Sequence, residues 1–334
     1  MSMSVVGKER VVDYLLIGGG LAAATAALEI RNRDTHGAIL IVGEDEHRPY
    51  HRPPLSKEYL RGEIDRHGTY GDGGVYVYLP EWYAAQNVDV LGGVAATELD
   101  TTAKVVVLDD GTAIHYGMLL LATGGRPRRL NVPGADLPGV QTLRTLADAD
   151  EIRMQLTTGK RVVVVGSGFI GLETAASALS KGAIVTIVEP FPRVWPGTVS
   201  PELSLYFQSQ FSRRGATLRY GFTANEFIAG SDGRLSAVRI EAVDHPGTVE
   251  DIGCELAIVG VGIRLNTELA ASAGLEVDPQ HGIVVTERLE TRVAGVFAAG
   301  DVAAYPDPIG GRMHFEHWDH AIASAQTAAV NMAG

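Results

Sequence analysis

Val11 to Ile17 is an almost unbroken apolar run, the pattern of a strand covered on both faces of a parallel sheet. Leu21 to Asn32 follows with alanine-rich helical spacing, and Ala38 to Val42 is a second buried strand ending at Gly43 and Glu44. Together they form one βαβ unit. The same order recurs further on: Arg161 to Val165 reads as a strand, Phe169 to Lys181 as a helix and Ile184 to Val188 as a strand ending at Glu189. Pro201 to Arg214 is helical, and Thr217 to Tyr220, Arg234 to Ala242 and Leu256 to Val259 read as further strands. A last buried strand covers Gly295 to Ala299, and a helix from about Asp319 to Met332 closes the chain.

Between these runs the pattern is broken in informative places. Prolines keep Arg48 to Lys57 from being helical until its end, and Gly68 to Gly74 is a glycine-rich loop. Glu81 to Gln86 reads as helical. Lys104 to Leu108 and Met118 to Leu121 are short strand-like segments, with Asp109-Asp110-Gly111 as a hairpin turn. Gly124-Gly125-Arg126-Pro127 and Val132-Pro133-Gly134 mark a domain crossing, and Gly260-Val261-Gly262 ends the second repeat. The expected fold is therefore α/β, with two Rossmann-like dinucleotide-binding domains. Residues 1–125 and 263–334 form one of them, and 126–262 form the other, inserted into it.

Each repeat carries a glycine-rich turn between its first strand and its helix: Gly18-Gly19-Gly20-Leu21-Ala22-Ala23 and Gly166-Ser167-Gly168-Phe169-Ile170-Gly171. In such a turn the first glycine permits the tight bend, and the second lets the backbone approach a pyrophosphate. The third small residue lets helix and strand pack closely. The N–H groups and positive end of the helix then hold the pyrophosphate without a lysine. Glu44 and Glu189 stand roughly twenty residues further on, where a carboxylate accepts from ribose hydroxyls and repels a 2′-phosphate. Glu189 thus favours NADH over NADPH. Arg193 is the counter-signal, because an arginine there can serve a 2′-phosphate.

Composition narrows the picture. A chain of 334 residues with 46% hydrophobic and 20% charged residues is long enough for two domains with real cores. The net charge of −12 argues against a nucleic-acid partner. Arg126, Arg128 and Arg129 form either a local basic patch or ordinary solvated loop arginines. No apolar run reaches the ~20 residues of a membrane span, and the N-terminus lacks a signal-peptide layout, so the expected location is cytoplasmic. The single cysteine, Cys254, rules out an internal dithiol and reads as a buried structural thiol. His47, His51, His314, His317 and His320 are too scattered for metal-ligand spacing, so no metal site is expected.

Five further segments carry a resemblance: Arg52-Pro53-Pro54-Leu55-Ser56-Lys57, Ala122-Thr123-Gly124, Phe169-Ile170-Gly171-Leu172-Glu173, Gly300-Asp301-Val302-Ala303 and Glu316-His317-Trp318-Asp319-His320-Ala321. In this order and spacing the chain resembles the two-dinucleotide flavoprotein reductases of glutathione-reductase-like architecture. Within them it is closest to the ferredoxin (putidaredoxin) reductase and apoptosis-inducing-factor-like group, with some likeness to monodehydroascorbate reductases.

The resemblance implies FAD at the first turn, contacted by Gly18, Gly20, Leu21, Ala22, Ala23, Glu44, Ala122, Thr123, Gly124, Gly300, Asp301, Glu316, His317 and Trp318, with Arg52 and Arg126 as pyrophosphate contacts. It implies a nicotinamide nucleotide at the second, contacted by Gly166, Gly168, Phe169, Ile170, Gly171, Glu173, Glu189, Gly260, Val261 and Gly262. Asp301 would hydrogen-bond the ribityl chain. Lys57 would lie near the flavin N5 edge, Glu173 would point toward the nicotinamide and pair with Lys57, and Trp318 would lie beside the isoalloxazine. The implied reaction is hydride transfer from NADH to flavin, followed by electron delivery to an external acceptor such as a ferredoxin-like protein, a quinone or a small oxidant. No side-chain nucleophile is needed for the first half, so Lys57, Glu173 and Trp318 act as positioners and electrostatic tuners.

Members of the group usually continue past the Glu-x-Trp helix into a third domain, whereas this chain stops at Gly334. The expectation is a truncated chain or a protein working without that cover, which leaves ferredoxin docking and a family-type dimer open and implies an unusually exposed flavin that can leak electrons to O2. Two other functions compete. One is a redox-sensing flavoprotein, in which a stable flavin–nicotinamide charge-transfer complex controls partner binding. The other, a flavin monooxygenase, is disfavoured by the complete second nucleotide fold.

Overall fold

The computed structural model describes residues Lys8–Gly334. The chain divides into two compact units. The first takes the residues up to His51 together with His67–Arg126 and Leu265–Gly334; the second takes Arg52–Arg66 and Pro127–Arg264.

In the first unit, strands Glu9–Ile17, Ile39–Gly43 and Val88–Gly92 run parallel, with Ala113–Leu121 on the other side of Glu9–Ile17. Val296–Ala298 pairs in parallel with the end of Ala113–Leu121, through Leu119, Leu120 and Leu121. Strands Val105–Leu108 and Ala96–Asp100 extend the sheet antiparallel beyond Ala113–Leu121. The carboxyl ends of the central strands are apolar because both faces are covered there, and Leu15, Leu16, Leu119 and Leu120 are fully buried. The amino-terminal half of Glu9–Ile17, including Val11 at 79% exposure, is not covered, contrary to the sequence reading. Helix Leu21–Arg33 packs on helix Trp318–Ala333, and the contact is built from alanines: Ala22, Ala23, Ala26 and Ala27 on one, Ala325, Ala328 and Ala329 on the other. Small side chains let the two helix backbones approach closely.

The second unit repeats the plan. Its parallel sheet has the order Thr217–Tyr220, Ile184–Glu189, Arg161–Val165, Leu256–Val259, Val140–Gln141. Both sheets thus place the three strands of the βαβ repeat side by side, with a later strand, Ala113–Leu121 in one and Leu256–Val259 in the other, against the strand that leads into the glycine-rich turn. A three-stranded antiparallel sheet, Phe222–Ala229, Leu235–Ala242 and Val249–Gly253, packs its apolar face on a core that includes Val163, Val188 and Val259.

Three features differ from the sequence reading. The segment Arg52–Arg66 folds with the second unit, although the sequence boundaries kept it with the first. Its 3-10 turn Pro53–Ser56 and short helix Glu58–Arg61 pack on helices Leu146–Gln155 and Phe169–Ser180. Met118 to Leu121 is the end of a nine-residue strand rather than a separate short segment. Helix Leu146–Gln155 and strands Phe222–Ala229 and Val249–Gly253 were not anticipated. Among the described residues no helix is long and apolar enough to cross a membrane, and no group of three or more His, Cys, Asp or Glu side chains is placed to hold a metal ion.

Candidate functional site

The first glycine-rich turn lies at the carboxyl edge of the first unit's sheet, where the ends of Glu9–Ile17, Ile39–Gly43, Ala113–Leu121 and Val296–Ala298 converge. Gly18 has φ +130°, and a Cβ there would lie 2.1 Å from the Ala122 carbonyl oxygen, so only glycine fits. Gly43 passes so close to Gly19 that its own Cβ would lie 2.9 Å from the Gly19 Cα. Gly20, by contrast, faces open space, with nothing within 4 Å of its Cβ position. Gly20 is also the N-cap of helix Leu21–Arg33, and no side chain caps that helix end. An uncapped helix N-terminus beside open space is a donor set suited to a pyrophosphate.

The other residues of this unit assigned to FAD have the following surroundings. Glu44 is exposed at the end of its strand. Ala122, Thr123 and Gly124 are tied down by Asn266, whose Nδ2 donates to the Thr123 carbonyl (2.9 Å) while its own carbonyl accepts from Thr123 Oγ1 (2.7 Å). Gly300, with φ +75°, donates its N–H to Ser324 Oγ at 3.0 Å and would place a Cβ 3.3 Å from that of Ala22. The Gly300-Asp301 turn therefore abuts the first turn of the helix. Arg126 instead forms an ion pair with Glu268 and also donates to Asn266. His317 caps the last helix, its Nδ1 accepting from the Asp319 N–H, and Glu316 lies 3.5 Å from His314. Trp318 is 41% exposed and donates its indole N–H to His51 Nδ1 at 2.9 Å.

The second turn is closely packed as well. A Cβ on Gly166 (φ +99°) would lie 2.4 Å from the Gly260 carbonyl oxygen, and one on Gly171 would lie 2.1 Å from the Gly166 carbonyl oxygen. Gly166, Gly171 and Gly260 thus touch backbone to backbone, drawing helix Phe169–Ser180 onto the strand ends, with Val261 and Gly262 continuing outward from Gly260. Gly168 is the helix N-cap, again without a side-chain cap, while Phe169 and Ile170 are exposed. Glu189 is buried, and its Oε2 accepts from the Ser167 N–H (2.6 Å) and hydroxyl (2.8 Å). The carboxylate is thereby held against the turn. Tyr220, its register partner on the neighbouring strand, has a phenol pushed above its usual range by burial and then by the Glu189 charge. Arg193 is committed elsewhere: it donates to the Val199 carbonyl (3.0 Å), the Pro196 carbonyl (2.7 Å) and Ser204 Oγ (2.7 Å).

Lys57 and Glu173 come together in the same unit. Lys57 Nζ lies 2.6 Å from Glu173 Oε2 and also donates to the Pro53 carbonyl at 2.9 Å. Ser56 Oγ donates to the same Glu173 oxygen at 2.6 Å, and Ser177 Oγ donates to the Ser56 carbonyl at 2.6 Å. Arg52 lies in this unit too and donates to the Arg144 carbonyl at 2.8 Å. Sequence reasoning missed Ser56, Ser167 and Ser177; the serines at 56 and 167 lie inside motifs it had singled out. Cys254 is fully buried, and burial pushes its thiol up to about 12.

Comparison with known proteins agrees with this geometry. The chain is 36% identical over 328 residues to a probable ferredoxin reductase, CtmF, from Castellaniella defragrans, spanning 98% of this chain and 76% of that protein. It is 35% identical over 324 residues to the ferredoxin–NAD(+) reductase component of a p-cumate 2,3-dioxygenase system from Pseudomonas putida, spanning 97% and 74%. The solved covalent putidaredoxin reductase–putidaredoxin complex contains a chain that matches with a TM-score of 0.87 at 34% identity, covering 97% of this chain and 75% of that one. Residues 12–325 match the family described as pyridine nucleotide-disulphide oxidoreductase. With two glycine-rich turns at the carboxyl edges of two like-ordered parallel sheets, the chain belongs to the pyridine nucleotide-disulphide oxidoreductase family.

Proposed function

We propose that this protein is an FAD-containing, NADH-dependent reductase that passes electrons to a ferredoxin-like protein. The observation that carries the reading is the pair of uncapped glycine-rich helix starts, one in each unit, each beside the ends of its own parallel sheet. Relatives named as ferredoxin reductases, and one solved as a covalent complex with putidaredoxin, support the acceptor class.

The residues fit the two nucleotides. In the first unit, Gly18 to Ala23 would hold the FAD pyrophosphate, Glu44 its adenosine ribose and Asp301 its ribityl chain. In the second, Gly166 to Gly171 would hold the NADH pyrophosphate. Glu189 would accept from its ribose while rejecting a 2′-phosphate by charge. Arg193, with three internal partners, offers that phosphate no spare guanidinium, which supports NADH as the donor. The bound flavin supplies a carrier that takes a hydride and gives up electrons one or two at a time.

The chain's own work is placement. Helix Phe169–Ser180 links the pyrophosphate turn to Glu173 about one helical turn later, so a nucleotide held at the turn has the Lys57–Glu173 pair within reach of its far end. The ammonium of Lys57 would favour negative charge on a reduced ring, and Glu173 holds that ammonium in place. Alignment of donor and acceptor supplies most of the rate, since no side-chain nucleophile takes part. A cytoplasmic location belongs to the same reading: the one cysteine is a buried thiol rather than half of a disulfide.

Stopped-flow mixing of the FAD-loaded protein with NADH tests this. The expected result is rapid bleaching of the visible flavin band, followed by rapid recovery when an oxidised ferredoxin is added. Bleaching that persists in the presence of ferredoxin, quinone and oxygen would overturn the reading.

A further inference from the structure

We propose that His51 is the positioning residue of Trp318: its neutral Nδ1 holds the indole N–H, and protonation of His51 releases the ring. The inference deepens the reductase reading, on which it rests for placing Trp318 beside the flavin.

The geometry begins with the hydrogen bond. An indole nitrogen can only donate, so at 2.9 Å His51 Nδ1 must be the acceptor, which requires the tautomer protonated at Nε2. The imidazole is itself held on both sides. Its ring centroid lies 5.1 Å from that of Tyr70 and 5.9 Å from that of Trp318, and its backbone N–H donates to the Val75 carbonyl at 2.8 Å. A fixed imidazole therefore sets the rotamer of a tryptophan that is otherwise 41% exposed at the first turn of its helix. An exposed indole without that acceptor has several staggered rotamers open to it.

The bond depends on protonation. Once Nδ1 carries a proton it points a donor at the indole donor, and the contact turns repulsive. The titratable groups of the neighbouring elements include Tyr70 on the glycine-rich loop and, around Trp318, Glu316, His317, Asp319 and His320; His317 Nδ1 is already used by the Asp319 N–H, and the His320 ring stacks on Tyr305. Arg52, next in the chain, donates to the Arg144 carbonyl. Burial holds the His51 imidazole below its ordinary value, which keeps the acceptor form dominant at neutral pH. Release then belongs to the acid side, below the usual histidine range.

The test labels the FAD-loaded protein with 5-fluorotryptophan and follows its fluorine NMR spectrum between about pH 5 and 8. The three tryptophans give three resonances, and Trp318→Phe identifies the relevant one. The expected result is a Trp318 resonance that titrates with a single midpoint below 6.5, the ordinary histidine value, and that stays flat in His51→Asn. Asparagine presents an acceptor oxygen in the place of Nδ1 and does not titrate. Electron delivery to the acceptor should fall on the acid side in the wild type and lose that fall in His51→Asn. A resonance that does not move, or an acid-side fall that persists in His51→Asn, overturns the proposal. Because the NMR titration needs no turnover, a protein whose flavin NADH did not reduce would overturn the reductase reading while the titration still decided the role of His51.

Discussion

Lys57 and Glu173, far apart in the chain, meet at 2.6 Å, and the same Glu173 oxygen also takes the hydroxyl of Ser56 at the same distance. Two donors on one oxygen fix the carboxylate more firmly than the ion pair alone would, since both charged side chains remain about one-third exposed. The pair's value therefore lies in placement more than in stability. Lys57→Ala should slow flavin reduction by NADH on the order of 10²-fold while changing FAD retention far less. Stopped-flow rates set beside FAD dissociation from the same preparation check this; equal losses in both would make Lys57 a binding residue.

Glu189 should govern the choice of nucleotide. Glu189→Gln keeps the shape next to Ser167 and removes the charge. NADH affinity should drop about tenfold, with a smaller change or a gain for NADPH. Arg193→Ala should loosen the segment 191–200 without a selective effect on NADPH, because its guanidinium is already spent on Val199, Pro196 and Ser204. Titration of both nucleotides against each variant separates the two roles. Selective loss of NADPH binding in Arg193→Ala would restore the arginine as a phosphate ligand.

Gly166→Ala should cost about 2 kcal/mol or more, because the left-handed φ of +99° and the Gly260 carbonyl at 2.4 Å from the new Cβ both oppose it. NADH binding should suffer with it and FAD should be retained, since the first turn is built separately. Thermal unfolding and equilibrium binding of each nucleotide read the two effects apart. A variant as stable as the wild type would mean the turn relaxes more easily than this packing allows.

Cys254 should resist alkylation. A thiol raised to about 12 by burial holds almost no thiolate at neutral pH, and its atoms are out of reach. Iodoacetamide should label it only in denaturant, as mass spectrometry of intact protein would record. Fast labelling of the native protein would place the cysteine in an opening region.

Some of the fold could be read without coordinates because its physical demands are local. A strand segment buried on both faces must be apolar throughout, so Tyr14 to Ile17 and Val162 to Val165 declared themselves. A bend that admits no Cβ must be glycine, so Gly18 and Gly166 did too. Helix Leu146–Gln155 went unread, although Thr145 and Asp148 form the capping box that begins it; its apolar positions are too few to show a helical period. Strands Phe222–Ala229 and Val249–Gly253 mix polar and apolar positions because only one face is covered.

What stayed hidden depends on residues that are distant in the chain. His51 reads as one of several scattered histidines until the fold brings it to Trp318. Ser56 and Ser177 are unremarkable hydroxyls until helix Phe169–Ser180 stacks on the Pro53–Ser56 turn. Arg193 pointed toward a phosphate by spacing alone, and its three internal partners withdrew it. Steric exclusion and hydrophobic burial act on each residue where it stands, so the amino-acid order already carried the two nucleotide folds and their turns. Hydrogen-bond partnership needs donor and acceptor within about 3 Å of each other. The partners of Lys57, Glu189, Arg193 and Trp318 were therefore decided only when the chain closed on itself.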